Sequence, residues 1–220
     1  MPYAGAIFDW DGVVVNSSKI HEESWEILAR ENNLPLPPEH FALGFGKRNQ
    51  VIIPEILQWT EDSSTIERWS SRKECIYRSI ASKKGIPIVP GIQALLLNLK
   101  EKRIPCVVGT STERKNVLLA FKQHNLEAFF CGIVSSEDVT RGKPDPEVFH
   151  KAARVMRQKP GNCVVFEDSL HGLQAARSGG MKAVGITTTN SKDSLLEAGA
   201  EIVVDEMREL DEDRLSKLFQ

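Results

Sequence analysis

Short runs of residues that are apolar on both alternating faces recur along this chain, with amphipathic stretches between them. No other feature restricts the fold as much, because a strand apolar on both faces has to be covered on both, as in a parallel sheet wrapped by helices. Ala4 to Phe8, Ile104 to Gly109, Cys131 to Val134, Cys163 to Phe166, Ala183 to Ile186 and Glu201 to Val204 are the predicted strands. Glu113 to His124, Pro146 to Met156, Ser169 to Ser178, Asp193 to Ala198 and Met207 to Leu218 carry apolar residues at helical spacing, and Gly179-Gly180 marks a stop. The expected fold class is α/β, a doubly wound parallel sheet.

Between the first predicted strand and the second, about Asn16 to Ile88, there is no strand pattern. Ile20, Trp25, Ile27 and Leu28 share one helix, Val51 to Trp59 predicts another, and Ile66, Trp69, Ile76, Tyr77 and Ile80 a third. Leu34-Pro35-Leu36-Pro37-Pro38 breaks the helices. The expected division is a core of residues 1–15 and 89–220 with an all-helical cap of residues 16–88 inserted after the first strand. Gly and Pro near Val14 to Ser17 and Ile86 to Gly91 suit hinges. A length of 220 residues leaves room for such a core and insert, and not for two independent enzymes.

With 41% hydrophobic and 26% charged residues, the chain has the composition of a packed globule rather than a disordered or collagen-like polymer. The net charge of -2 supplies no global basic field, so no nucleic-acid partner is expected and an anionic ligand must be caught locally. Cys75, Cys106, Cys131 and Cys163 are widely separated and lack a Cys-x-x-Cys pair, so they are read as reduced thiols in a core. The most apolar segment, Ile86 to Leu99, is interrupted by Pro87, Pro90 and Gly91 and is too short to cross a bilayer. Met1 runs into Ala4-Gly5-Ala6-Ile7-Phe8 without the basic start of a signal peptide, and a cytoplasmic protein with no membrane partner is expected. Trp59 and Trp69 are read as packing residues of the cap, and a monomer or weak homodimer as the state.

Chemistry collects where predicted strands end. Phe8-Asp9-Trp10-Asp11-Gly12 closes an apolar strand with two carboxylates and a glycine, and in open parallel sheets ligands bind outside the carboxyl ends of the strands. Acids this close repel unless a cation offsets them. Val107-Val108-Gly109-Thr110-Ser111 ends the next strand in hydroxyls and N–H groups at a helix start, which suits a phosphate oxygen. Arg141-Gly142-Lys143-Pro144-Asp145-Pro146 presents a lysine on a stiff loop entering a helix, and Val164-Val165-Phe166-Glu167-Asp168-Ser169 ends a further buried strand in two acids.

In this order the four pieces resemble the four motifs of the haloacid dehalogenase superfamily, and the resemblance covers the whole chain, helical cap included. It implies a Rossmann-like core, Mg2+ as cofactor and a small phosphorylated metabolite as substrate. It further implies that Asp9 is the nucleophile and Asp11 the general acid/base. Thr110, with Ser111 beside it, would bind the transferring phosphoryl group and Lys143 would position it. Asp168 and Glu167, with Asp9 and Asp11 close by, would hold Mg2+. Superfamily members that displace halide lack an acid at the position of Asp11, so Asp11 favours a phosphatase or a phosphomutase.

The cap bears on the choice. His21, Lys73 and one of Lys47 and Arg48 resemble the substrate-attending residues of β-phosphoglucomutases. Thr112-Glu113-Arg114 departs from the Ser-Lys-Asn of those mutases, and Asn16 stands where aspartate is common, as a changed helix cap. Gly44-Phe45-Gly46-Lys47 also resembles the region where phosphonoacetaldehyde hydrolases carry a lysine. The expected function is a Mg2+-dependent phosphatase acting through an aspartyl-phosphate, with a β-phosphoglucomutase-type mutase as the alternative. Behind these stand the phosphonate hydrolase and a noncatalytic binding module.

Overall fold

In the computed structural model, which describes residues 3–219, the six predicted strands form one sheet. They are β1 (Gly5–Phe8), β2 (Cys106–Gly109), β3 (Gly132–Val134), β4 (Cys163–Glu167), β5 (Lys182–Ile186) and β6 (Ile202–Val204). All neighbours are parallel, in the order β3-β2-β1-β4-β5-β6. The direction of winding reverses between β1 and β4, which opens a crevice at their carboxyl ends.

The helices are α1 (Ser18–Glu31), α2 (His40–Gly44), α3 (Asn49–Val51) and α4 (Ser63–Lys84) in the insert. The core adds α5 (Ile92–Glu101), α6 (Arg114–His124), α7 (Glu147–Val155), α8 (Leu170–Ser178), α9 (Lys192–Ala198) and α10 (Glu212–Lys217). Strand side chains alternate between two apolar layers, as a period of two dictates. Ile7, Val107 and Val165 pack with Phe149 of α7 and Leu173 of α8, whereas Phe8, Val108 and Phe166 face Leu96 of α5 and Val117 of α6. Phe8 and Phe166, paired across β1 and β4, stack at 4.5 Å, so the crevice is built on a rigid floor.

The insert enters and leaves through two segments that run side by side. Val89 N–H donates to Val14 O at 3.0 Å and Asn16 N–H to Pro87 O at 2.7 Å. Within it α1 packs against α4, and Trp25, Trp59 and Trp69 form a chain of edge-to-face rings at 6.0 and 5.8 Å, so Trp59 and Trp69 are packing residues of the insert. No helix among the described residues is long and apolar enough to cross a membrane.

Four expectations are corrected. The helix predicted over Val51 to Trp59 is a short α3 followed by a wide turn, Ile52–Ile56, in which Leu57 N–H reaches Ile52 O at 2.9 Å; Pro54 has no N–H to continue a regular helix. Met207 to Leu218 is not one helix, because Asp211 accepts from Arg214 N–H at 2.8 Å and starts α10 afresh. Cys106 and Cys163 are buried, but Cys75 and Cys131 are exposed. Asn16 does not cap α1, since the cap position belongs to Ser17, whose hydroxyl turns elsewhere.

Trp10 anchors the turn after β1. It is fully buried, edge-on to Phe121 at 5.5 Å, and its carbonyl accepts from Val14 N–H at 2.9 Å and Val15 N–H at 3.1 Å. The Trp10→Ala variant is expected to lose about 3–5 kcal/mol in urea unfolding; a loss under about 1 kcal/mol would show that the turn is held by its backbone alone.

Candidate active site

Strand register brings the predicted acids together. Asp9 follows β1 directly, Glu167 ends β4 and Asp168 follows it, and Phe8 and Phe166 are register partners, so the three carboxyl groups meet at the crevice. One oxygen from each lies within 4.8 Å of the others, and all three residues are buried. Lys143 enters from its loop and donates to Asp9 Oδ1 at 2.7 Å and Glu167 Oε1 at 2.6 Å, with its ammonium 4.9 Å from the Phe149 ring. The other Glu167 oxygen accepts from Asp168 N–H, Ser169 N–H and Ser169 Oγ–H, each at 2.9 Å.

Close approach demands glycine here. A Cβ on Gly172 would overlap the Glu167 carboxylate, and one on Gly12, at φ +81°, would overlap that of Asp168. The charge balance is uneven, with three acids around one lysine. Burial, then the Glu167 charge, pushes Asp9 up to about 7 although Lys143 pulls it down. Burial and the charges of Glu167 and Asp9 also push Asp168 well up. Lys143 is held above its ordinary value; burial opposes this, but Asp9 and Glu167 outweigh it.

Asp11 turns the other way, toward the insert. One of its oxygens accepts from Ser17 Oγ–H and lies 3.2 Å from His21 Nε2, and the other accepts from Thr112 Oγ–H. Burial would raise this acid, but His21 and the two hydroxyls hold it at about 2. Its side chain stands outside the three-acid cluster. Behind His21, Lys73 Nζ lies 2.6 Å from Nδ1. An ammonium has no acceptor, so Nδ1 accepts and Nε2 carries the proton that faces Asp11.

Lys73 is buried among the rings of Trp25 and Tyr77, 5.3 and 5.6 Å from their centroids, and donates to Glu74 Oε1 at 2.8 Å. Glu74 in turn accepts from Asn49 at 2.8 Å and from Asn116 of α6 at 2.5 Å, and Arg78 links Asn116 at 3.0 Å with Glu113 at 2.9 Å. A continuous polar chain thus runs from Asp11 through the insert to the core helix α6.

The remaining predicted residues divide. Thr110 is buried, with its hydroxyl accepting from Thr112 N–H at 3.1 Å, and Ser111 lies beside it on the wall of the pocket between Asp9, Asp11 and the insert. Lys47 and Arg48 also line this pocket; Arg48 donates to the carbonyls of Val139 and Thr140, both at 3.1 Å, and so ties the insert to the core loop. Arg72, the neighbour of Lys73, faces outward and pairs with Glu31.

The family model of the haloacid dehalogenase-like hydrolases matches residues 6–186, a span that contains Asp9, Asp11, Lys143, Glu167 and Asp168. The chain belongs to this family. It is 34% identical, over 98% of its length, to a chloroplastic 5-amino-6-(5-phospho-D-ribitylamino)uracil phosphatase of Arabidopsis thaliana, and spans 58% of the length of that protein. A phosphorylated carbohydrates phosphatase of Thermotoga maritima is 28% identical over 90% of this chain and 92% of its own. The crystal structure of β-phosphoglucomutase from Clostridium difficile has the same fold, with a TM-score of 0.87 at 23% identity, over 99% of this chain and 97% of that one.

In this haloacid dehalogenase-like hydrolase, several residues bonded to Asp11 or Glu74 lie outside the four motifs. Glu74 follows the predicted Lys73 directly, and Thr112 sits two residues after Thr110, so both stood beside recognised positions. Ser17 and Asn116 carried no sequence signal, being an ordinary helix start and an ordinary helix residue.

Glu74 gives the site a measurable acid limit. Burial would raise it, but the Lys73 charge and the hydrogen bonds from Lys73 and Asn49 hold it down from 4.5 to about 2. A depressed carboxylate stabilises the fold fully above its unfolded value, and that contribution is lost as pH falls from 4.5 toward 2. The gap in urea-unfolding free energy between wild type and Glu74→Gln should therefore shrink by on the order of 3 kcal/mol between neutral pH and about pH 2. A gap that does not vary with pH would show that Glu74 is not held ionised.

Proposed function

We propose that this protein is a Mg2+-dependent phosphatase of small phosphorylated metabolites, working through a phosphorylated Asp9. The observation that carries the reading is the buried set of Asp9, Glu167 and Asp168 around Lys143. These residues fit a divalent cation: three hard oxygen donors converge, one lysine does not balance them, and Asp168 Oδ1 is buried without a hydrogen-bond partner among the described residues. Asp9, Glu167 and Asp168 would hold the ion, and when bound it supplies positive charge against both the carboxylates and the phosphate.

The chain's own residues divide the work. Asp9, with one oxygen fixed by Lys143, attacks phosphorus with the other, and the ester oxygen leaves. Lys143, Thr110 and Ser111 hold the phosphoryl oxygens. Asp11, ionised in the present arrangement, is set to take a proton from the water that cleaves the acyl-phosphate. To protonate the leaving oxygen it first has to take up a proton from solvent, which becomes favourable as substrate entry displaces the donors Ser17, His21 and Thr112. Residues 16–88 act as the cap that excludes bulk water and meets the leaving group, with Lys47, Arg48, His21 and Lys73 facing it.

A monoester fits better than a mutase bisphosphate. Lys73 is neutralised by Glu74, Glu113 adds a carboxylate to the pocket wall, and Arg114 is drawn away to Asp138 at 2.5 Å. Two relatives are phosphatases of phosphorylated carbohydrates and of a ribitylaminouracil phosphate, so such compounds head the substrate panel. Exposed, unbridged Cys75 and Cys131 suit a reducing compartment, and the cytoplasm provides one.

Phosphate release from this panel, followed by phosphorus NMR, should require Mg2+ and stop with chelator. Asp9→Asn should lower turnover by about a thousandfold or more while leaving the fold intact. Unchanged turnover in that variant would remove Asp9 as nucleophile, and isomerisation of β-glucose 1-phosphate without free phosphate would make the protein a mutase.

A further inference from the structure

The segment after β5, Thr187-Thr188-Thr189-Asn190, lies outside the four motifs and closes around Asp168. Thr189 Oγ–H donates to Asp168 Oδ2. Thr188 Oγ lies 3.1 Å from the same oxygen and 2.7 Å from Gly12 O, so its single proton serves the turn after β1 as well as the one after β4. Asn190 Nδ2 donates to the Asp168 carbonyl at 2.9 Å. The segment is itself fixed at its start, where Thr187 N–H reaches Val204 O at 3.1 Å and Thr187 Oγ–H reaches Asp205 Oδ1 at 2.6 Å. Its hydrogen bonds thus run from β6 across β5 and β4 to β1.

The consequence for Asp168 is an unequal carboxylate. Both hydroxyls address Oδ2, and among the described residues Oδ1 is buried with no hydrogen-bond partner. We propose that Thr188 and Thr189 are positioning residues for the metal ion, which occupy Oδ2 and so present Oδ1 of Asp168 as the ligand atom. This rests on the metal reading of Asp9, Glu167 and Asp168. Rotation of the carboxylate about its Cβ–Cγ bond would exchange the two oxygens, and the threonines make that exchange costly. Outer residues that orient a ligand commonly change metal affinity tenfold to a hundredfold when removed.

The test is Mg2+ binding by calorimetry on the intact, substrate-free chain, comparing wild type with Thr189→Val and Thr189→Ser. Valine keeps the volume and removes the hydroxyl, whereas serine restores the hydroxyl. Thr189→Val should weaken Mg2+ binding about tenfold or more, and Thr189→Ser should bind nearly as wild type. Thr188→Val, which removes the second donor to Oδ2, is expected to weaken binding in the same direction and serves if Thr189→Val does not fold. Wild-type affinity in both valine variants would overturn the proposal, as would equal weakening in the valine and serine variants, which indicates packing alone. If wild type itself binds no Mg2+, the metal reading falls and this inference with it.

Discussion

Three carboxyl groups buried around a single lysine are the constraint on which the rest of this structure depends. Moving an ion out of water costs several kcal/mol even after relaxation, and here Lys143 bonds Asp9 and Glu167 while the Asp168 carboxylate meets only the hydroxyls of Thr188 and Thr189 among the described residues. The arrangement survives because it is divided among elements that cannot move independently. The parallel register of β1 and β4 fixes where Asp9 and Glu167 emerge, and the Phe8–Phe166 stack locks that register from below. Gly12 and Gly172 leave the space that the carboxylates occupy. Backbone N–H groups of Asp168 and Ser169 feed Glu167, so its second oxygen needs no further cation.

A second polar system, in the insert, is balanced where the first is not. Lys73 and Glu74 neutralise each other in a buried pair, and their remaining valences are met by His21, Asn49 and Asn116. Such a network is stable only while complete, since a lone buried charge left behind is strongly destabilising. Asn116 belongs to the core helix α6 and Glu74 to the insert helix α4, so separating insert from core exposes or orphans part of the network. The Arg48 bonds to Val139 and Thr140 close the opposite side of the pocket. The seating of the insert on the core is thus coupled, through His21 and Lys73, to the arrangement around Asp11.

Much of this was legible from sequence wherever chemistry coincides with a strand end. All six strands lie within about two residues of expectation; Asp9, Thr110, Glu167 and Asp168 gather because a parallel sheet delivers every strand's carboxyl end to one edge, and Lys143 joins them from the loop that precedes α7. What stayed hidden is pairing across distance. Asn116 meets Glu74 from 42 positions away and Thr189 meets Asp168 from 21, and each belongs to a stretch that reads as ordinary helix or loop. Lys47 and Arg48 were indistinguishable as neighbours in sequence, yet the fold gives Arg48 two backbone carbonyls. Cys75 and Cys131 were misread because thiols carry a strong prior for burial.

Asp9 and Asp11 show most plainly how position is converted into chemistry. They are two residues apart and of one kind, yet burial beside Glu167 takes Asp9 up to about 7, while His21, Ser17 and Thr112 hold Asp11 near 2. Trp10 between them is fully buried, and strand alternation on either side of it would send both carboxylates the same way. The turn after β1 breaks that alternation: Trp10 O collects the N–H groups of Val14 and Val15, and Asp11 swings toward the insert. One acid is thereby surrounded by buried carboxylates and a lysine, and the other by hydrogen-bond donors. Environments that drive two equivalent groups apart assign them different roles. In this chain that separation follows from a single buried indole and the turn it anchors.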